Sequence, residues 1–160
     1  MLKIKIICVG KLKERFYSEA AIEYTKRLER YCNIEITELP EARIPENPSH
    51  AQIEDALHKE SAAIEKHLQS AALTIALCIE GNQIDSPNLS ELIKKTKASG
   101  TSRLNFIIGG SVGLHNNVKS NADMLLSMSK MTFPHHLARI MLLEQLYRAF
   151  NIIDGGKYHK

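Results

Sequence analysis

The segment SMSKMTFPHHLAR, from Ser127 to Arg139, holds the densest set of residue types that could bind a ligand. It interleaves three bulky apolar side chains with three polar ones: Met128, Ser129, Lys130, Met131, Thr132 and Phe133. Thioether and ring groups can flank a flat ring, while hydroxyls and backbone amides can bond its edge. The mixture predicts a pocket for a purine-sized ligand. The alternative is a solvated turn in which Met128 and Phe133 pack into the core.

A second candidate is IIGGSVG, where two adjacent glycines directly follow an apolar run. Without Cβ atoms the backbone can approach a ligand and donate N–H groups to it, although a tight turn also favours glycine. The dinucleotide fingerprint GxGxxG is absent, and CVGKLKE lacks the second glycine and the Ser or Thr of a phosphate-binding loop. A nucleotide-dependent oxidoreductase is therefore a weak alternative.

Arg139 is a candidate catalytic cation. It has no acidic residue three or four positions away, whereas Glu144 and Arg148 have the i,i+4 spacing of a local ion pair. An unpaired arginine beside a suspected site could contact a phosphate or a carbonyl oxygen, with a solvated surface arginine as the alternative. His135 and His136 have no further residues at metal-ligand spacing, so we predict no metal site.

The C-terminal residues Tyr158, His159 and Lys160 are a third candidate group. They combine a stacking ring, a titratable imidazole and a cation, which suits an RNA nucleotide. Since they follow two glycines, the alternative is a tail that frays.

Composition narrows the class of protein. The chain has 160 residues, of which 44% are hydrophobic and 24% charged, and this is ordinary for one folded domain spanning residues 1–160. A net charge of +3 is compatible with RNA contact but does not establish it. Three cysteines without a CxxC pair indicate reduced thiols and a cytoplasmic protein. We expect neither export nor a membrane span, because no long apolar run is present.

Hydrophobic periodicity predicts strands alternating with helices. The predicted strands cover 2–10, 33–39, 72–81, 103–109 and 124–129, and the predicted helices cover 13–31, 50–68, 86–99, 114–122 and 134–150. Ser49 and Gln52 form a predicted capping box, and Ser86 is the predicted cap of the third helix, with Pro87 at its first position.

This alternation predicts an α/β fold with a mostly parallel sheet and helices on both faces, the third strand being central. Ligands of such sheets sit beyond the carboxyl ends of the strands. Chemistry is therefore expected in the loops IEGNQIDS, IGGSVGLH and SMSKMTFP. The last helix is apolar almost all round, which predicts that a second subunit covers it in a homodimer.

Four motifs together resemble one family. CVGKLKE, FIIGGSVGLH, SMSKMTFPHHLARIMLLEQLYRAF and the closing YHK are similar to the ribosomal RNA large subunit methyltransferase H family over essentially the whole chain. The resemblance implies a SPOUT fold with a C-terminal trefoil knot, and a homodimer in the bacterial cytoplasm. It also implies S-adenosylmethionine-dependent methylation of N3 of a pseudouridine in large-subunit (23S) ribosomal RNA. The implied substrate is a hairpin on assembled 70S ribosomes.

The same resemblance implies functional residues. The implied cofactor contacts are Leu77, Gly109, Met128, Ser129, Lys130, Met131, Thr132 and Phe133. Within the implied reaction, Arg139 is our candidate for stabilising negative charge on the base, His159 for accepting its proton and Tyr158 for stacking on or orienting it. The alternative function is a non-catalytic ribosome-binding module with the same fold.

Overall fold

The chain folds into five strands and five helices in the computed structural model, which describes residues 1–160. The strands are β1 (Lys3–Val9), β2 (Asn33–Leu39), β3 (Leu73–Asn82), β4 (Arg103–Ile108) and β5 (Met124–Leu126). The helices are α1 (Arg15–Leu28), α2 (His50–His67), α3 (Ser86–Ala98), α4 (Asn116–Asn121) and α5 (His135–Ile153). The alternating pattern predicted from the sequence is confirmed.

The strands form one sheet in the order β2-β1-β4-β3-β5, and every pairing in it is parallel. The central strand is β4, so the prediction that β3 is central is wrong. Only Leu73–Ala76 of β3 pair with β4, and β3 then continues past its neighbours with a register irregularity between Leu77 and Asn82. The trefoil knot stays a prediction.

Both faces of the sheet are covered, which explains why the inner strands are continuously apolar. Alternate residues point to opposite faces, so Ile6 and Phe106 enter a large core with α1, α3 and α5. Ile7 and Ile107 enter a smaller core with α2 and α4. All four side chains are fully buried or nearly so.

The N-terminal cap of α3 is Asp85, not Ser86 as predicted. The Asp85 carboxylate accepts a hydrogen bond from the backbone N–H of Asn88 at 2.8 Å. Ser86 is the first helical residue, and its hydroxyl donates to Gln145 Oε1 at 2.6 Å, linking α3 to α5. The predicted capping box of Ser49 and Gln52 at the start of α2 is confirmed.

We predict that Asp85→Ala lowers the free energy of unfolding by about 1 kcal/mol, because it leaves the backbone N–H of Asn88 in the first turn of α3 without its partner. Asp55→Ala is the matched control: Asp55 lies on an exposed helix surface and pairs only with Lys59, so its loss should cost about 0.5 kcal/mol or less. Urea denaturation of both variants measures the difference. Equal losses would contradict the assignment of Asp85 as the cap.

Candidate active site

The last residues of β3 and the loops after β4 and β5 line one cleft of about 610 Å³ at the carboxyl edge of the sheet. The three loops in which chemistry was expected therefore meet. The cleft is lined by Leu77 to Glu80, by residues 108–111, 113 and 114, by Lys119 and Leu126, and by Met128, Ser129, Met131 to His135 and Ala138. Its walls are mainly apolar, and its volume suits a nucleoside-sized ligand.

Seven of the eight residues predicted to contact a cofactor line this cleft: Leu77, Gly109, Met128, Ser129, Met131, Thr132 and Phe133. Lys130 does not line it. The three predicted catalytic residues, Arg139, Tyr158 and His159, also lie outside its lining. The cofactor contacts themselves stay predictions.

The backbone of the segment after β5 is shaped by hydrogen bonds of its own serines. The Ser127 hydroxyl donates to the carbonyl oxygen of Ser129 at 2.9 Å, and the Ser129 hydroxyl accepts from the backbone N–H of Met131 at 3.0 Å. The Ser127 N–H also donates to the carbonyl of Asn82, which joins this loop to the end of β3. These bonds give the cleft wall a defined backbone while leaving the Met131 side chain 72% exposed.

The glycine loop after β4 needs glycine for a steric reason. A Cβ atom on Gly109 would overlap the carbonyl group of Gly113, since the chain folds back on itself there. A side chain on Gly110 would meet the Glu41 carboxylate, which accepts from the backbone N–H of Ser111 at 2.8 Å and from its hydroxyl at 2.7 Å.

Sequence reasoning missed Glu41, which lies in the proline-rich segment after β2. Although partial burial acts to raise the pKa of Glu41, the two hydrogen bonds from Ser111 hold it below its usual range. Glu41 is therefore an anion that anchors the loop after β4.

Glu80 and Lys119 were also missed. They lie on β3 and α4, and their side chains form an ion pair with an Nζ to Oε1 distance of 2.5 Å in the lining of the cleft. The hydrogen bond from Lys119 lowers the pKa of Glu80. This pair therefore places one full negative and one full positive charge at the cleft.

Arg139 is not the unpaired cation that the sequence suggested. Its side chain is 3% exposed, and Nη1 donates to Glu38 Oε2 at 2.7 Å while Nη2 donates to the carbonyl oxygen of Gly10 at 2.9 Å. The local spacing rule failed because Glu38 lies 101 residues away in the sequence. In this arrangement Arg139 ties the start of α5 to the ends of β1 and β2.

His135 lies between the cleft and this buried ion pair. It lines the cleft, and its Nε2 atom is buried without a hydrogen-bond partner beside Gly10. Burial and the neighbouring His136 lower the pKa of His135, so its imidazole is neutral near pH 7.

The C-terminal tail does not fray but folds back onto the last turns of α5. The Tyr158 hydroxyl donates to Glu144 Oε1 at 3.0 Å, and the Arg148 guanidinium lies 4.6 Å from the centre of the Tyr158 ring. Arg148 Nη1 lies 3.3 Å from Nδ1 of His159, and the predicted ion pair between Arg148 and Glu144 is confirmed. Burial, together with the bond to Glu144, raises the pKa of Tyr158 to about 12.

No helix combines the length and the apolar character that crossing a membrane requires. No group of three or more His, Cys, Asp or Glu side chains is placed to hold a metal ion.

The Glu38–Arg139 pair predicts a specific pH dependence of stability. Partial burial acts to raise the pKa of Glu38, but the hydrogen bond from Arg139 and one from the backbone of Leu12 lower it below its ordinary 4.5. The unfolded state therefore binds more protons in acid, and the stabilisation is present above about pH 4.5 and lost as the pH falls below it. Glu38→Gln should lower the free energy of unfolding at pH 7 by about 1–2 kcal/mol, a range that allows for the partial exposure of Glu38. Below pH 4.5 the free energy of unfolding of this variant should change less with pH than that of the wild type.

Urea denaturation between pH 3 and pH 7 measures this dependence. Glu35→Gln is the control, because Glu35 lies on the same strand, is 66% exposed, and makes only an exposed hydrogen bond with Thr37 and an ion pair with Lys5. If the free energy of unfolding of Glu38→Gln falls with pH in acid as steeply as that of the wild type, the pair is not the source of this pH dependence.

Comparisons with known proteins agree on one family. The model described as "Predicted SPOUT methyltransferase" matches residues 2–159. The chain is 46% identical over 159 residues to the Ribosomal RNA large subunit methyltransferase H of Streptococcus pyogenes serotype M5 (strain Manfredo), covering 99% of this chain and 100% of that one. The protein of the same name from Streptococcus equi subsp. equi (strain 4047) is 44% identical with the same coverage.

A solved structure supports the fold alone. The structure of a "probable methylase family protein" from Haemophilus influenzae Rd KW20 superposes with a TM-score of 0.55 at 14% identity. The match covers 98% of this chain and 70% of that one.

Proposed function

Because this chain belongs to the SPOUT methyltransferase family, we propose that it transfers a methyl group from S-adenosylmethionine to large-subunit ribosomal RNA. The observation that carries the proposal is the cleft itself, built at the carboxyl edge from the end of β3 and the loops after β4 and β5. Relatives of nearly identical length are named for this RNA substrate. We further propose that the acceptor is N3 of a pseudouridine in a hairpin of assembled ribosomes, which places the protein in the cytoplasm.

The residues of the cleft fit the cofactor. Met128, Leu126 and Phe133 supply apolar surface for an adenine ring, and the Thr132 hydroxyl and the backbone of the loop supply polar groups at its edge. S-adenosylmethionine, when bound, supplies an electrophilic methyl group on its sulfonium sulfur. The task left to the protein is to position the acceptor nitrogen and make it anionic.

Because the acceptor nitrogen must lose its proton, the site needs groups that make this deprotonation easier. An imide N3–H with a pKa of about 10 costs roughly 4 kcal/mol to ionise at neutral pH. A cation beside the flanking carbonyl oxygens and a group that accepts the proton would lower this cost. We propose that Tyr158 stacks on the base, that His159 accepts the proton and that Arg148, which contacts both and pairs with Glu144, holds them in position.

Arg139 is then proposed as a positioning residue. Both of its terminal nitrogens are already bonded, to Glu38 and to the Gly10 carbonyl, and contact with the base would require it to leave Glu38. Its effect on the acceptor would come through the end of β1 and the first turn of α5.

Within one protomer the tail is far from the cleft. His135 lines the cleft, whereas Arg148, which contacts the tail, lies 13 residues further along α5 and hence about 20 Å away along the helix axis. Tyr158 and His159 can therefore serve a cleft only if a second subunit brings its tail there. An antiparallel arrangement of two α5 helices about a two-fold axis would do so.

The surface around α5 supports such a dimer. Leu137, Met141 and Ile152 are half-exposed and belong to neither core. On the adjoining helix α1, Phe16 and Ile22 are 65% and 68% exposed, although an amphipathic helix would be expected to bury them. We propose that this apolar surface of α1 and α5 is the interface of a homodimer.

The catalytic proposal is tested with purified protein, isotopically labelled S-adenosylmethionine and ribosomes from cells that lack this protein. We expect label in the large-subunit RNA, and we expect Thr132→Trp to abolish both calorimetric cofactor binding and transfer by filling the cleft. Lys95→Trp is the control, because Lys95 is an exposed residue of α3 outside the cleft. Ribosome binding with neither transfer nor cofactor binding would instead establish the non-catalytic module, and binding of NAD alone would favour an oxidoreductase.

The shared site is tested with heterodimers isolated through two different affinity tags. One subunit carries Thr132→Trp and the other carries Tyr158→Ala with His159→Ala, and each variant alone should be inactive. If the tail acts on the partner's cleft, the heterodimer contains one intact site and should keep about half of the wild-type rate. Activity near zero would show that the tail serves its own subunit.

A further inference from the structure

The charged groups in the lining of the cleft are concentrated at one place. Among its lining residues only Glu80 and Lys119 carry full charges, and His135, the one other titratable side chain apart from Cys78, is neutral. Glu80 comes from the end of β3 and Lys119 from α4, so two separate elements bring them together. Their side chains are 56% and 24% exposed, which leaves both accessible to a ligand.

The pair also has unused hydrogen-bonding capacity. Lys119 Nζ donates to Glu80 Oε1 and makes no other hydrogen bond within the protein. An ammonium has three donors and a carboxylate has about four acceptor positions, so each partner can bind a further group without breaking the pair. A ligand that carries both an ammonium and a carboxylate would complete a ring of alternating charges.

S-adenosylmethionine carries these two groups at one end. Its adenine is flat and suits the apolar wall around Met128 and Phe133, whereas its α-ammonium and α-carboxylate require charged partners. The rest of the lining offers no full charge for them.

We propose that Lys119 binds the α-carboxylate and Glu80 the α-ammonium of S-adenosylmethionine, so that the pair selects cofactors with an amino-acid end over adenosine compounds without one. This inference rests on the proposed use of S-adenosylmethionine and adds a specificity determinant to it. The competing explanation is that the pair only fastens the short helix α4 to β3. If the pair only fastens α4, loss of Lys119 should change the affinity for every ligand by the same factor.

Calorimetry with two ligands separates these explanations. S-adenosylhomocysteine has the amino-acid end, whereas 5′-methylthioadenosine shares the adenosine and the sulfur but lacks that end. Lys119→Met keeps the aliphatic stem and should lower the affinity for S-adenosylhomocysteine by roughly tenfold, the loss typical of one charge-assisted hydrogen bond at a partly exposed site. The affinity of the Lys119→Met variant for 5′-methylthioadenosine should stay within about twofold of the wild-type value.

Further variants sharpen the assignment. Lys119→Arg should recover most of the affinity for S-adenosylhomocysteine because it keeps the charge. Decarboxylated S-adenosylhomocysteine keeps the amine but lacks the carboxylate, so Glu80→Gln should weaken its binding. Lys119→Met should bind this analogue no more weakly than wild type does. Lys94→Ala is the control, because Lys94 forms an exposed ion pair with Glu91 on α3, outside the cleft.

The outcomes are distinct. Equal weakening of S-adenosylhomocysteine and 5′-methylthioadenosine by Lys119→Met would overturn the inference and show that the pair only shapes the cleft. Unchanged affinity for both ligands would overturn it as well. If the folded wild-type protein binds neither ligand, the proposed cofactor itself is wrong, whereas a wild-type protein that binds both equally well refutes the selection alone.

Discussion

The bonds from Arg139 to Glu38 and to the Gly10 carbonyl determine where α5 begins relative to the sheet. The loop that forms the cleft wall is held at its other end by the bond from Ser127 to Asn82. Its backbone is therefore fixed between the end of β3 and the start of α5. Because α5 leaves from this point, the same bonds also set the direction in which the helix carries its apolar surface and its C-terminal tail.

Under the proposed function, the active site has two parts. The cleft at the start of α5 has the apolar walls and the localised charges that a cofactor needs, whereas the aromatic and cationic groups suited to a nucleotide lie at the far end of the same helix. One subunit alone therefore holds both halves but cannot join them. Under the proposed function, dimerisation is part of building the acceptor site, and the half-exposed apolar residues of α1 and α5 explain what drives it.

Local sequence patterns were sufficient for the elements and for the position of the cleft. Periodicity predicted the helices and strands, and the rule for carboxyl ends of parallel strands predicted which three loops meet. These patterns could not predict the order of strands in the sheet, because β3 and β4 are both buried and have similarly apolar sequences. The implied contacts at Leu77 and Gly109 came from the family resemblance, since neither residue carries a distinctive side-chain chemistry.

The charged contacts were missed for one shared reason. Glu38 with Arg139, Glu41 with Ser111 and Glu80 with Lys119 join residues that are 101, 70 and 39 positions apart. A spacing rule of three or four residues detects only pairs within one helix, as it did for Glu144 and Arg148. Lys130 does not line the cleft, so its place in the motif remains the one reason to expect it at the cofactor.

Methylation of large-subunit ribosomal RNA by this protein can be measured by mass spectrometry of that RNA from cells with and without the protein. We expect one methylated pseudouridine to lose its methyl group in the absence of the protein and to regain it when the wild-type chain is restored. An unchanged map of modified nucleotides would contradict it.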